Sequence, residues 1–171
     1  MYKRQAHTSI VGAGPNGASA VRCAYLGSNA VLEGFTLTNG HTYTTGDLIY
    51  DRSGGGALME SNAVLRNCIV CNGGASHLAA GVYAQGGRLE GCLVEDNDCD
   101  GWVGGVHNGD LVNCTVVGNH AANDAGGTFS GELRNCIVWS NTAGGSYPNW
   151  QGGDIGWTCT TPLPAGTGNI T

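Results

Sequence analysis

Asp96, Asp98 and Asp100 sit at alternate positions ahead of Gly101, the first half of a D-x-D-x-D-G calcium loop. In such a loop carboxylate oxygens wrap the ion and Gly permits the turn. The twelfth position here is His107, where the loop wants a bidentate Glu. A solvated acidic turn is the expectation, with Ca2+ as the candidate cofactor. Asp110 and Glu132 lie at equivalent positions of an internal repeat, flanked in their column by Arg88. Carboxylates about 5 Å apart suit a retaining glycosidase, yet Arg88 offers ordinary charge pairing, so these acids are weak catalytic candidates. The same alignment stacks Leu58, Tyr83, His107 and Phe129, with Val82, Val106 and Thr128 pointing inward. Tyr83, His107 and Phe129 are therefore candidate ligand-binding residues, because rings at about 5 Å steps can lie against sugar faces. The competing expectation is stacking between coils that only stabilises a sheet. His7, His41, His77 and His120 have no Cys or His neighbours at metal-ligand spacing and are expected to be solvated loop residues.

These alignments rest on one phrase written five times: Leu32–Asn39 (LEGFTLTN), Leu65–Asn72 (LRNCIVCN), Leu89–Asn97 (LEGCLVEDN), Leu111–Asn119 (LVNCTVVGN) and Leu133–Asn141 (LRNCIVWSN). Measured at Phe35, Cys68, Cys92, Cys114 and Cys136, the spacing runs 33, 24, 22 and 22 residues. A settled period in this range marks stacked, self-similar units. Before each Phe or Cys stands Gly34, Asn67, Gly91, Asn113 or Asn135, residue types that tolerate positive φ, so a sharp bend is expected there. Leu then points inward from one strand, and Cys and Val, two apart, point inward from the next. Gly55–Met59, Gly81–Ala84, Gly104–Asn108 and Gly126–Ser130 supply a third strand. The predicted fold is all-β: a right-handed parallel β-helix of about five coils, three short strands per coil. Asn97, Asn119 and Asn141 should form a side-chain ladder at one corner.

The Gly-Gly strand followed by L-x-N-C-x-V and by Asn141–Ala143 (NTA) resembles the β-helix repeat of large secreted bacterial surface proteins, akin to the polymorphic outer-membrane and autotransporter passenger type. Ala20–Gly40 and Cys159–Ile170 are also similar to recurrent pieces of those proteins. The resemblance spans the chain from about His7 onward and implies an extracellular or cell-surface location. It is specific for fold and says little about activity. Motifs of the pectin-degrading β-helix enzymes have no counterpart.

Composition narrows the function classes. A net charge of −6 and seven Lys and Arg exclude the basic patch that nucleic acid requires. No stretch approaches the roughly 20 apolar residues of a membrane span. Residues 1–6 are expected to be a non-native or disordered start, since Met1–Gln5 resembles translated adapter sequence from an assembled environmental read. Residues 7–171 are expected to be one β-helix domain of a longer solenoid, because Gly168–Thr171 supplies no polar cap.

Of eight cysteines, Cys68, Cys92, Cys114 and Cys136 share the inward position and should form a buried, reduced ladder headed by Phe35. Cys71 and Cys99 fall outside it near one corner and are the better disulfide candidates. Cys23 and Cys159 lie near opposite ends. An ice-binding role would require a Thr grid, but the outward column reads Thr36, Ile69, Leu93, Thr115, Ile137. Two function classes remain. One is a non-catalytic structural or adhesive segment of a secreted bacterial surface protein that touches glycans. The other is a fragment of a polysaccharide lyase or glycoside hydrolase, with its decisive residues on other coils or on the long insertion His41–Gly54.

Overall fold

A computed structural model describes residues 8–171. His7 and the expected start at 1–6 lie outside them. The chain winds through about six turns of an all-parallel β-solenoid whose coil-to-coil pairing builds four sheets. The leucine sheet stacks Val31–Glu33, Val64–Arg66, Arg88–Glu90, Asp110–Val112, Glu132–Arg134 and Asp154–Gly156. Leu32, Leu65, Leu89, Leu111, Leu133 and Ile155 stand in register within it. The valine sheet follows, with Leu37, Val70, Val94, Val116 and Val138 in register. Between these two sheets the chain turns at Gly34, Asn67, Gly91, Asn113 and Asn135, all at φ between 51° and 79°. Gly and Asn occupy this left-handed region at little cost, so the bend recurs wherever they do.

The third sheet contains the Gly-Gly strands, Ala57–Met59, Val82–Ala84, Val106–His107 and Thr128–Phe129, flanked by Ala24–Leu26 and Trp150–Gln151. The Gly just ahead of each of these strands has a packing cause. A Cβ on Gly81, Gly105 or Gly127 would lie 2.8–2.9 Å from Cγ1 of Val94, Val116 or Val138, so the valine sheet packs directly onto bare backbone.

Three strands per coil were expected; four coils carry a fourth. Gly74–Ala75, Asp98–Cys99, His120–Ala121 and Thr142–Ala143 form a four-stranded sheet just past the Asn corner. Ala75, Cys99 and Ala121 are buried beneath it. These small side chains let the chain run close to the core before it swings out and returns to the Gly-Gly strand.

One polar column runs inside the solenoid. Nδ2 of Asn97 donates to Oδ1 of Asn119 at 2.8 Å, and Nδ2 of Asn119 to Oδ1 of Asn141 at 2.9 Å. Each amide also serves backbone carbonyls of its own coil and the coil below. Asn149 closes the column from the neighbouring strand, its Oδ1 accepting from both the backbone N and Nδ2 of Asn141. Asn39 and Asn72 end their copies of the phrase one residue earlier and take a positive-φ bend instead of a ladder place. Near residue 171 the chain turns back, with Ile170 pairing parallel to Cys159 and Asn169 accepting from the Thr158 N–H.

Eight cysteines stay free of disulfides. Cys68, Cys92, Cys114 and Cys136 are buried in the core, as their shared position requires. Hydrogen bonding to Cys136, then to Cys92, together with burial, raises the Cys114 thiol above its ordinary value. The expected Cys71–Cys99 pairing does not occur. Cys71 lies on the valine sheet in register with Glu95, whereas Cys99 lies on the fourth sheet in register with Ala75. Cys99 points inward, and burial pushes its thiol up to about 11.

Candidate functional site

The predicted aromatic column forms, with Tyr83 buried and His107 and Phe129 half-buried. Leu58, Tyr83, His107 and Phe129 are in register. The His107 ring stacks on Tyr83 and on Phe129 at centroid distances of 5.0 Å, with interplanar angles of 21° and 11°. Their outer side is covered by the crossover segments, whose Leu78, Ala79, Val103 and Ala125 form a second apolar cluster with Leu58, Tyr83 and Ile49. Bridges Ser53–Leu78, Val103–Ala125 and Ala125–Tyr147 stack these crossovers in turn. Tyr83 is 7% exposed, so the ring faces are spent on one another. The surface position was legible from strand alternation, but the cover comes from loops that carry no periodic signal. Burial, and then the nearby His77, lower the His107 pKa to about 4, and its buried Nδ1 has no hydrogen-bond partner.

Asp110 and Glu132 are adjacent on the leucine sheet, where Asp154 extends the acidic column. The Asp110 carboxylate accepts the backbone N–H of Glu132 at 2.9 Å. Arg134 pairs with Asp154 at 2.5 Å and with Glu132 at 3.7 Å. Arg88 turns to Glu90 at 3.0 Å, which also takes Arg66 at 2.8 Å. Asp110 and Glu132 are both exposed.

Asp96, Asp98 and Asp100 share a recess of about 490 Å³ with Asn16, His41 and Asn72. Asp96 takes a positive-φ bend, Asp98 opens the short strand that follows, and the intervening Asn97 and Cys99 are buried. No three His, Cys, Asp or Glu side chains among the described residues converge as metal ligands. Asp100 instead accepts from Nδ2 of Asn16 at 2.8 Å. His120, expected in a loop, stands in the fourth sheet and hydrogen-bonds Thr142 at 2.9 Å.

A cleft the motifs did not point to lies at the insertion 41–54. Ala20, Val21, Arg22, His41, Thr42, Tyr43, Tyr50 and Asp51 line a space of about 220 Å³. The insertion closes on itself. Asp47 accepts the N–H groups of Tyr50 (2.8 Å) and Ile49 (2.9 Å), which hold its carboxyl below the usual range. Ser53 bonds the carbonyl of Leu48, and Tyr43 N–H that of Asp51. Arg22 clamps the loop to the first coil, donating Nε to Gly54 and Nη2 to Tyr50 and Ser53, all at 2.7–2.8 Å. The sequence signal was the 33-residue gap between Phe35 and Cys68; nothing local marked Arg22 as the residue that closes it. No family model, curated protein or solved structure matches the chain.

Proposed function

We propose that this β-solenoid is a non-catalytic, structural and adhesive segment of a secreted or cell-surface bacterial protein, presenting loops that contact glycans. One observation carries the reading. The polar groups that recur from coil to coil are engaged with one another: the Asn97–Asn119–Asn141–Asn149 column inside, and the Arg66–Glu90–Arg88 and Glu132–Arg134–Asp154 groups outside. Such a molecule holds its length through nearest-neighbour contacts, which suits a stalk. Among the described residues no helix is long and apolar enough to cross a membrane.

The experiment pairs two measurements. Purified protein incubated with pectins, alginates and neutral polysaccharides releases no unsaturated or reducing ends, and antibodies raised to it label intact cells expressing the full-length gene. Release of such ends supports the lyase or hydrolase alternative. Labelling only after lysis rejects the surface location.

A further inference from the structure

We infer that the cleft between Ala20–Arg22 and the insertion 41–54 binds a neutral pyranose, an inference resting on the glycan-contacting role proposed above. The donor and acceptor pattern points to this ligand. Arg22 uses Nε and Nη2 on backbone carbonyls, so among the described residues its Nη1 N–H groups keep no acceptor. The Asp51 carboxylate takes the N–H of Asp47 through Oδ2 only. A guanidinium edge beside a carboxylate offers donors and acceptors together, the complement of two neighbouring sugar hydroxyls, each of which both donates and accepts.

The rings of Tyr43 and Tyr50, 44% and 49% exposed, stand in the same lining and give a sugar face apolar surface. Asp51 and the net charge of −6 disfavour a uronate. The cleft is also rigid before binding. Besides the Arg22 clamp, Thr42 Oγ1 donates to the Arg52 carbonyl and accepts the Ser76 N–H, and Ser76 Oγ donates to the Tyr43 carbonyl. Little ordering cost therefore remains.

The test titrates the full chain with glucose, galactose, mannose, N-acetylglucosamine, xylose and galacturonate, followed by protein-observed NMR, beside an array of neutral and acidic glycans. At least one neutral sugar is expected to bind with a Kd of about millimolar and to shift resonances of Tyr43, Tyr50 and Asp51. Tyr43→Ala and Tyr50→Ala each weaken it about fivefold, whereas Trp102→Ala, an exposed ring elsewhere, changes nothing. Both Tyr side chains are solvent-facing, so these variants keep the fold, checked by an unchanged melting temperature. Galacturonate binding more tightly than every neutral sugar overturns the ligand class. Array binding that survives both Tyr substitutions overturns the site and leaves the glycan role standing. No binding to any sugar overturns both.

Discussion

The His107 ring lies 5.0 Å from that of Tyr83 and nearly parallel to it, inside a cluster that leaves Nδ1 of His107 buried without a partner. An ionisable ring thus stands where its neighbours are aromatic. Burial holds its pKa at about 4 against an ordinary 6.5. As pH falls the unfolded chain takes up this proton first, so the stabilisation is whole above about 6.5 and lost between 6.5 and 4. The loss is on the order of 3 kcal/mol. His107→Phe should continue the column from Phe129, raise stability and flatten that part of the pH profile, as read by urea unfolding at stepped pH. An unchanged acid limb would move the titration to another group.

Asn119 is the middle of the amide column and is fully buried. Its Oδ1 accepts from both the backbone N and Nδ2 of Asn97. Asn119→Ala strands the Asn97 backbone N–H and removes one partner each from Asn97 Nδ2, Asn141 Oδ1 and the Val94 and Val117 carbonyls, and should cost about 3 kcal/mol. Asn123→Ala, exposed on a crossover, is the neutral control. Equal unfolding midpoints for the two variants would show that the column contributes no stability.

For the cysteines, brief alkylation of the native protein should modify the half-buried Cys23, Cys71 and Cys159 and spare Cys68, Cys92, Cys99, Cys114 and Cys136. Thiolate is the reactive form, and burial suppresses it along with access. Peptide mapping without reductant checks both points. A Cys71–Cys99 cross-link would contradict the register that puts the two on different sheets.

Calcium at millimolar concentration should leave the melting temperature unchanged, and Asp98→Ala should not alter that result. Binding to the native state alone would raise it. A calcium-dependent rise abolished by Asp98→Ala would show that Asp96, Asp98 and Asp100 gather around the ion.

The solenoid, its leucine and valine columns, the bends at Gly34, Asn67, Gly91, Asn113 and Asn135 and the Asn97–Asn119–Asn141 ladder were all legible in the sequence. Each depends on a residue type recurring at one period, and equivalent residues of a parallel stack meet by construction. Tertiary structure alone decided what the period does not encode. Alternation put Tyr83, His107 and Phe129 on the outer side of their strand, but crossover residues such as Leu78 and Val103 buried Tyr83 and left His107 and Phe129 half-covered. Spacing put Cys71 and Cys99 near one corner, but a fourth strand carried Cys99 to a different sheet. The acidic run matched a calcium loop in letters, but only the fold showed that Asn97 and Cys99 turn into the interior and that Asp96 sits at a left-handed bend. The insertion was visible as a lengthened gap. Its closure was not, because it rests on Arg22 reaching three carbonyls far along the chain, a contact between side chain and backbone that leaves no periodic mark.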